Sequence, residues 1–278
     1  MRIIIILLAL LAISPYSLEA KGKKISKIVI DAGHGGRDIG AQGAFSMEKN
    51  ITLAVSLKLG KLLMDSMKGM EAIYTRTDDT YPSLSERHEI ANKASADLFI
   101  AIHVNSTPFT YTKVLEGYKT VKRKKKTVKQ PIYRSIRHHT TTRKGVETYV
   151  MGLHRSGQQK NAIGEYGDNV SDEPGLLNEN DPQTAIIVAQ YSQAFLGKSV
   201  TLGAKIQEQF SISGRPDLGV KQMGLEVLAG SAMPGVLVEI GFITNPDEEA
   251  YLNSEKGQYE VAVAIYRGIK AYKADIEK

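Results

Sequence analysis

Four residues in this 278-residue chain combine side chains and local settings suited to metal-assisted hydrolysis: His34, Glu48, His103 and Glu239. His34 stands in Ile30-Asp31-Ala32-Gly33-His34-Gly35-Gly36, where an apolar run ends in an acid and then a glycine-flanked imidazole. His103 closes a second apolar run in Ile102-His103-Val104-Asn105, and Glu48 follows His34 by fourteen residues in Ser46-Met47-Glu48-Lys49-Asn50. Two imidazoles and a carboxylate, with a fourth position left for water, are the donor set of a catalytic zinc site. Glu239 ends the run Val236-Leu237-Val238, and an acid closing a buried strand is costly unless it is paired or used. There it could take a proton from attacking water and return it to a leaving group. Each residue also has a plainer reading. A histidine after a strand can be structural, and Glu48 can be a first-turn acid favoured by the helix dipole. Glu239 can pair with Arg76 or Arg87. Asp31 to Gly36 faintly resembles a phosphate loop but lacks the Lys-Ser/Thr that such a loop needs. Only their joint placement favours the metal reading.

That placement depends on the elements. Lys27 to Asp31, Glu71 to Thr75, Asp97 to Val104, Gly145 to Met151, Leu225 to Leu228 and Gly235 to Gly241 read as strands. Met47 to Met67, with Ile51, Val55, Leu59, Leu62 and Leu63 at helical spacing, reads as a long amphipathic helix. Further helices are expected from Ser83-Leu84-Ser85-Glu86 to about Ala94, with a capping box, and over Gln183 to Phe210 and Ser254 to Lys273. The alternation predicts a single α/β domain: a mostly parallel or mixed central sheet flanked by helices. In such a sheet the strand ends carrying His34 and His103 share one edge, and the helix that Glu48 opens starts near it. Two insertions interrupt the rhythm. Residues 111–144 are basic and Thr-rich, a hairpin or mobile insertion, and 152–181 read as a long irregular loop with a short helix.

The two ends and the charge narrow the setting. Met1-Arg2, the apolar run Ile3 to Ile13, the Ser14-Pro15 break and Ala20 ahead of Lys21-Gly22-Lys23-Lys24 form a secretory signal pattern over 1–20. The run is short for a bilayer span, although Leu18 makes an imperfect cleavage site and a plain anchor is the rival reading. The expectation is a mature chain of 21–278, exported to the periplasm (or secreted if the cell has no outer membrane), with no stable membrane anchor. There is no cysteine, so disulfides and an N-terminal lipid-bearing cysteine are excluded, and any zinc site must be built from His and carboxylate. Residues 111–144 hold twelve Lys or Arg against the single acid Glu116, while the whole chain carries only +6. The basicity therefore belongs to one segment, readable as a solvated loop or as a dock for a polyanionic wall or membrane surface. Nucleic acid is the least favoured partner, because no nucleic-acid module is recognisable. His138, His139 and His154 in or near the insertions leave open a second metal site.

Taken in order, Ile30 to Gly36, Glu48-Lys49-Asn50, Thr75-Arg76-Thr77-Asp78 with Leu84, Arg87 and Ala91-Asn92, Ala96 to Asn105, and Val236 to Asn245 closely resemble the zinc-dependent N-acetylmuramoyl-L-alanine amidases, including their cell-division members. The resemblance runs from about Lys27 to Lys273. It implies that His34, Glu48 and His103 bind Zn2+ and that Glu239 is the catalytic glutamate. It also implies that the substrate is peptidoglycan, cut between N-acetylmuramic acid and the L-alanine of the stem peptide. The basic stretch is longer than the simple family loop. Residues 152–181 fall where cell-division members carry a segment that covers the site until an activator protein moves it. A chain lacking Gln159 to Asn180 is then expected to be more active. A zinc peptidase acting on stem peptides and a non-catalytic peptidoglycan-binding protein are the alternatives.

Overall fold

The computed structural model describes residues 24–108, 110–123, 126–138, 141–166 and 183–278. The signal pattern lies outside them, as do His139 and residues 167–181 of the second insertion.

A six-stranded mixed sheet organises the chain. Its strands are β1 (Lys27–Ala32), β2 (Glu71–Tyr74), β3 (Leu98–Asn105), β6 (Val146–Met151), β7 (Asp217–Met223) and β8 (Gly235–Phe242), in the spatial order β2-β1-β3-β8-β6-β7. All neighbouring pairs run parallel except β6 with β8. A separate two-stranded sheet, β4 (Thr110–Arg123) and β5 (Lys126–His138), forms the hairpin expected for the basic insertion. The helices are α1 (Glu48–Ser66), α2 (Leu84–Lys93), α3 (Ser156–Glu165), α4 (Thr184–Ile212), α5 (Glu226–Ala229), α6 (Pro246–Leu252) and α7 (Glu255–Ile276).

Continuous apolar runs such as LFIAIHVN in β3 are what a central strand covered on both faces requires. Side chains alternate between two cores. Ile28, Ile30, Ile100, Ile102, Val236 and Val238 belong to a cluster with residues of α1, α4 and α7. Val29, Phe99, Ala101 and Leu237 belong to another, with Ala91 of α2 and Val227 and Leu228 of α5. The Ser83 capping box is present: its hydroxyl accepts from the Glu86 amide and the Glu86 carboxylate accepts from the Ser83 amide.

Two local expectations differ from the structure. Leu225 to Leu228 is not a strand; Glu226–Ala229 forms α5, whose Val227, Leu228 and Ala229 are buried. A four-residue apolar run has no period of its own, and here tertiary packing chose the helix. The strand that does lie nearby, β7, is a sheet edge with mostly half-buried and exposed residues, so its sequence carries little apolar signal. Helix α6 was also unforeseen, although Asn245 caps it through the amides of Asp247 and Glu248 and Pro246 begins it.

Candidate active site

The parallel strands β1, β3 and β8 bring their carboxyl ends to one edge. Their register sets His103 directly beside Glu239. Because β6 runs antiparallel to β8, its amino-terminal half reaches the same edge and places Glu147 on the other side of Glu239. One face of the sheet thus presents His103, Glu239 and Glu147 in a row.

His34 arrives from the loop after β1. Its φ of 61° lies in the left-handed region, and Gly35 and Gly36 continue with positive φ. A non-glycine residue held there stores strain that its surroundings must hold. Two arginines do so. Arg87 donates to the carbonyls of Ala32 and His34, at 2.8 and 2.7 Å, and forms a fully buried ion pair with Asp31 at 2.8 Å. Arg76 donates to the carbonyls of Ala32, Gly33 and Lys49. Neither pairs with Glu239: Arg76 follows β2, which β1 and β3 separate from β8, and the Arg87 guanidinium is held by Asp31 and the His34 loop.

Glu48 is the first residue of α1, yet its carboxylate turns away from a dipole-only role. Oε1 accepts from the Val104 amide at 2.9 Å and lies 3.0 Å from His103 Nδ1; Oε2 accepts from the Ala41 amide at 2.7 Å and lies 3.2 Å from His34 Nε2. Burial opposes its ionisation, but the hydrogen bonds with His103 and His34 outweigh it and hold the carboxyl far below the usual range. Burial likewise opposes protonation of His34, and Glu48 and Asp38 overcome it, raising the imidazole to about 9. The two rings meet edge to face with centroids 4.9 Å apart. One donor atom from each of His34, Glu48 and His103 can be chosen so that all lie within 4.8 Å of one another, the only such cluster among the described residues. Ligands of a tetrahedral zinc sit about 3.3 Å apart for bonds of about 2.0 Å, close to the 3.2 Å between His34 Nε2 and Glu48 Oε2. The N, N, O donor set and its spacing fit a zinc-sized cation. His138 and His154 join no such cluster.

Glu239 differs in kind. Its Oε2 is buried without a hydrogen-bond partner, the state of a carboxyl kept available. Burial, reinforced by Glu48 and Glu147 against the opposing pull of His103, pushes it up to about 7.

Two residues escaped the sequence reading. Asp38 accepts from His34 Nδ1 at 2.9 Å and so fixes the ring's orientation and tautomer. Glu147 is buried and touches Asn105, Tyr149, Arg143 and Lys221, at 2.6 Å to the Tyr149 hydroxyl. Burial resists its charge, but Tyr149 and Lys221 keep it ionised. Its signal was available: an acid inside the apolar run Val146 to Met151, the same signal that marked Glu239. Beside the cluster an open groove of about 480 Å³ runs between Gly40, Ala41 and Gln42 on one side and Ser106, Thr107 and Thr244 on the other.

The profile of the family described as N-acetylmuramoyl-L-alanine amidase matches residues 28–271. The chain belongs to that family. It is 29% identical over 260 residues to the N-acetylmuramoyl-L-alanine amidase AmiA of Escherichia coli (strain K12), covering 93% of this chain and 79% of AmiA. It is 31% identical over 264 residues to the uncharacterized protein YqiI of Bacillus subtilis (strain 168), covering 94% and 92%. The crystal structure of an N-acetylmuramoyl-L-alanine amidase from Clostridium difficile 630 superposes with a TM-score of 0.59 at 26% identity, over 90% of this chain and 97% of that one. The single α/β domain with a mixed sheet matches that amidase structure.

Proposed function

We propose that this amidase hydrolyses the bond between N-acetylmuramic acid and L-alanine in peptidoglycan, with a zinc ion at His34, Glu48 and His103 and with Glu239 as the proton-transferring group. The observation that carries the residue roles is the half-buried Glu239 carboxyl, its Oε2 buried and unpartnered, set in register beside an N, N, O donor cluster. Zinc bound there supplies Lewis acidity, polarising the amide carbonyl and making water acidic enough to react near neutral pH. The chain's own part is the rest. Glu239 takes one proton from the attacking water as the C–O bond forms, then delivers it to the amide nitrogen as the C–N bond breaks. The products are a free lactyl carboxylate and the amine of the stem peptide. Glu48, which accepts one backbone amide on each oxygen, stays ionised and lies against both imidazoles.

The Glu239→Ala variant is expected to keep its zinc and lose turnover by about 10²–10⁴-fold. Zinc retained with substantial hydrolysis would sink the role. Mass spectrometry of digested sacculi decides between an amidase, which releases whole stem peptides from the sugar, and a peptidase, which cuts within them. Zinc content by elemental analysis, with chelation and metal add-back, tests the ion's identity.

Export of the mature chain, to the periplasm or the medium, belongs to the same proposal and rests on the pattern in residues 1–20; cell fractionation tests it. So does relief by an activator of a covering segment over 152–181, of which 167–181 lie outside the described residues. Gln159 and Ile163 of α3 are buried, Ile163 in a cluster with Val188 and Phe195 of α4. Removing 159–180 would strip that surface, so the informative deletion starts at 167.

A further inference from the structure

We propose that the β4–β5 hairpin is a polymer-gripping arm, whose tyrosine- and lysine-bearing ribbon binds the peptidoglycan strand beside the bond to be cut. The inference rests on the amidase reading above for the identity of the polymer.

Position comes first. The hairpin leaves the sheet at the end of β3, just after His103, and returns to the start of β6, just before Glu147. Both roots therefore sit on the catalytic edge, on either side of Glu239. Thirteen residue pairs join β4 to β5, so the ribbon extends roughly 40 Å at about 3.4 Å per residue. An arm of that length at the rim of a site suits a substrate that continues far beyond the scissile bond.

The side chains follow from the register. Leu115 pairs with Tyr133 and Gly117 with Ile132, so a bulge at Glu116 shifts the phase of β4. Tyr118 consequently shares a face with Leu115, and Tyr111, Lys113, Lys129 and Tyr133 lie on it too. The three tyrosines and Leu115 are exposed. The opposite face carries Val114, Val128 and Ile132, also exposed, and the single acid of the segment, Glu116, neutralised by Arg134 at 2.9 Å. A free two-stranded ribbon is marginally stable in water, and these apolar groups gain nothing from the main core. Such a surface needs a reason to persist.

Charge selects the occupant. Keeping ribbon edges from pairing with another chain needs charge, but either sign would serve. Here the segment carries twelve cations and one acid. A one-signed field draws in a polyanion, and stem peptides of the wall polymer bear free carboxylates. Tyrosine rings give flat, amphipathic contact area against sugar faces at low cost in side-chain entropy. An anionic membrane fits less well. Among the described residues the exposed tyrosines, Leu115, Val114 and Ile132 lie along the strands, away from the Arg123–Lys126 end of the ribbon, so they offer no apolar tip to insert.

The test uses the zinc-loaded full chain and two variants. One carries Lys113, Lys119, Lys122, Lys126 and Lys129 changed to Gln, the other Tyr118→Ala with Tyr133→Ala. Binding to purified sacculi stripped of other wall polymers is measured by co-sedimentation at low and high salt. Binding to vesicles of equal parts phosphatidylglycerol and phosphatidylethanolamine is measured alongside. Turnover on sacculi is compared with turnover on a soluble muramoyl-peptide fragment. The lysine variant is expected to bind sacculi at least about tenfold more weakly at low salt, with the difference closing at high salt. The tyrosine variant is expected to bind more weakly at both. In each, the ratio of turnover on sacculi to turnover on the fragment falls. Unchanged sacculus binding in both variants overturns the proposal, and so does lysine-dependent vesicle binding that exceeds sacculus binding. Failure of the wild-type chain to cut the soluble fragment would instead overturn the amidase reading, leaving the binding result interpretable.

Discussion

Replacing Gly33 by alanine is expected to disable the metal cluster while leaving the fold standing. A Cβ at Gly33 would lie 2.5 Å from Cε1 and Nε2 of His103 and 2.7 Å from its Nδ1. Ordinary carbon contacts begin near 3.5 Å, so ring and backbone must part by about 1 Å. The backbone is the stiffer side. Gly33 donates to Ile102 O at 3.0 Å, and its carbonyl accepts from Thr52 at 2.8 Å and from Arg76 at 2.9 Å. The imidazole therefore moves, away from its 3.0 Å contact with Glu48. Misplacing a catalytic group by about 1 Å costs on the order of 10²-fold in rate. Overpacking adds about 1–3 kcal/mol of destabilisation, a fall in Tm of about 2–12 °C for a domain of this size. Gly197→Ala is the control. A Cβ at Gly197, inside α4, meets nothing within 4 Å, so that variant should gain about 0.5–1 kcal/mol with turnover intact. Zinc content, turnover on a soluble fragment and thermal unfolding are measured on all three proteins. A Gly33→Ala protein with wild-type zinc content and turnover would refute the reasoning.

Asp38→Asn removes the carboxylate that orients His34, and zinc affinity should drop about 10–100-fold with little change in Tm; competition against a chelator reads it, and unchanged affinity counts against the role. Arg87→Met removes the ion-pair partner of the buried Asp31 and leaves it the Thr75 hydroxyl, so urea unfolding should show a loss of about 3–5 kcal/mol. A loss under 1 kcal/mol would mean the pair is dispensable. Glu249 ties down the loop that leads into Glu48. Burial resists its ionisation, but the Phe45, Ser46 and Ala44 donors win and hold it below the ordinary carboxylate range. A carboxyl lowered on folding adds stability above its unfolded pKa of about 4.3, and that stability is lost as pH falls through the folded value. Tm should therefore fall less between pH 6 and 3 in Glu249→Gln than in the wild type, and equal slopes would exclude the linkage.

Much of the candidate site is legible in the sequence, because its parts sit at strand ends that the apolar runs mark. His34, His103 and Glu239 each follow or close such a run, and Glu48 opens the helix that the spacing of Ile51, Val55 and Leu59 marks. The Ser83 capping box is a local device, and local devices read directly from sequence. Where the signal was weak or non-local, the reading missed. β7 is an edge strand with few buried apolar groups, and Leu225 to Leu228 is too short to show a period.

The sequence by itself determined the candidate donors, the alternating α/β order and the separate character of the basic segment, since residue type, periodicity and local charge are properties of the chain in one dimension. Only the tertiary structure decided who meets whom. The register of β3 and β8 put His103 beside Glu239, and the reversal of β6 brought in Glu147. The placement of β2 beyond β1 and the packing of α2 against β1 gave Arg76 and Arg87 to the His34 loop instead of to Glu239. The bulge at Glu116 gathered Tyr118 and Tyr133 on one face of the arm. Strand order, register and bulges depend on which long-range pairings bury the most surface together, and no local window of sequence contains both partners.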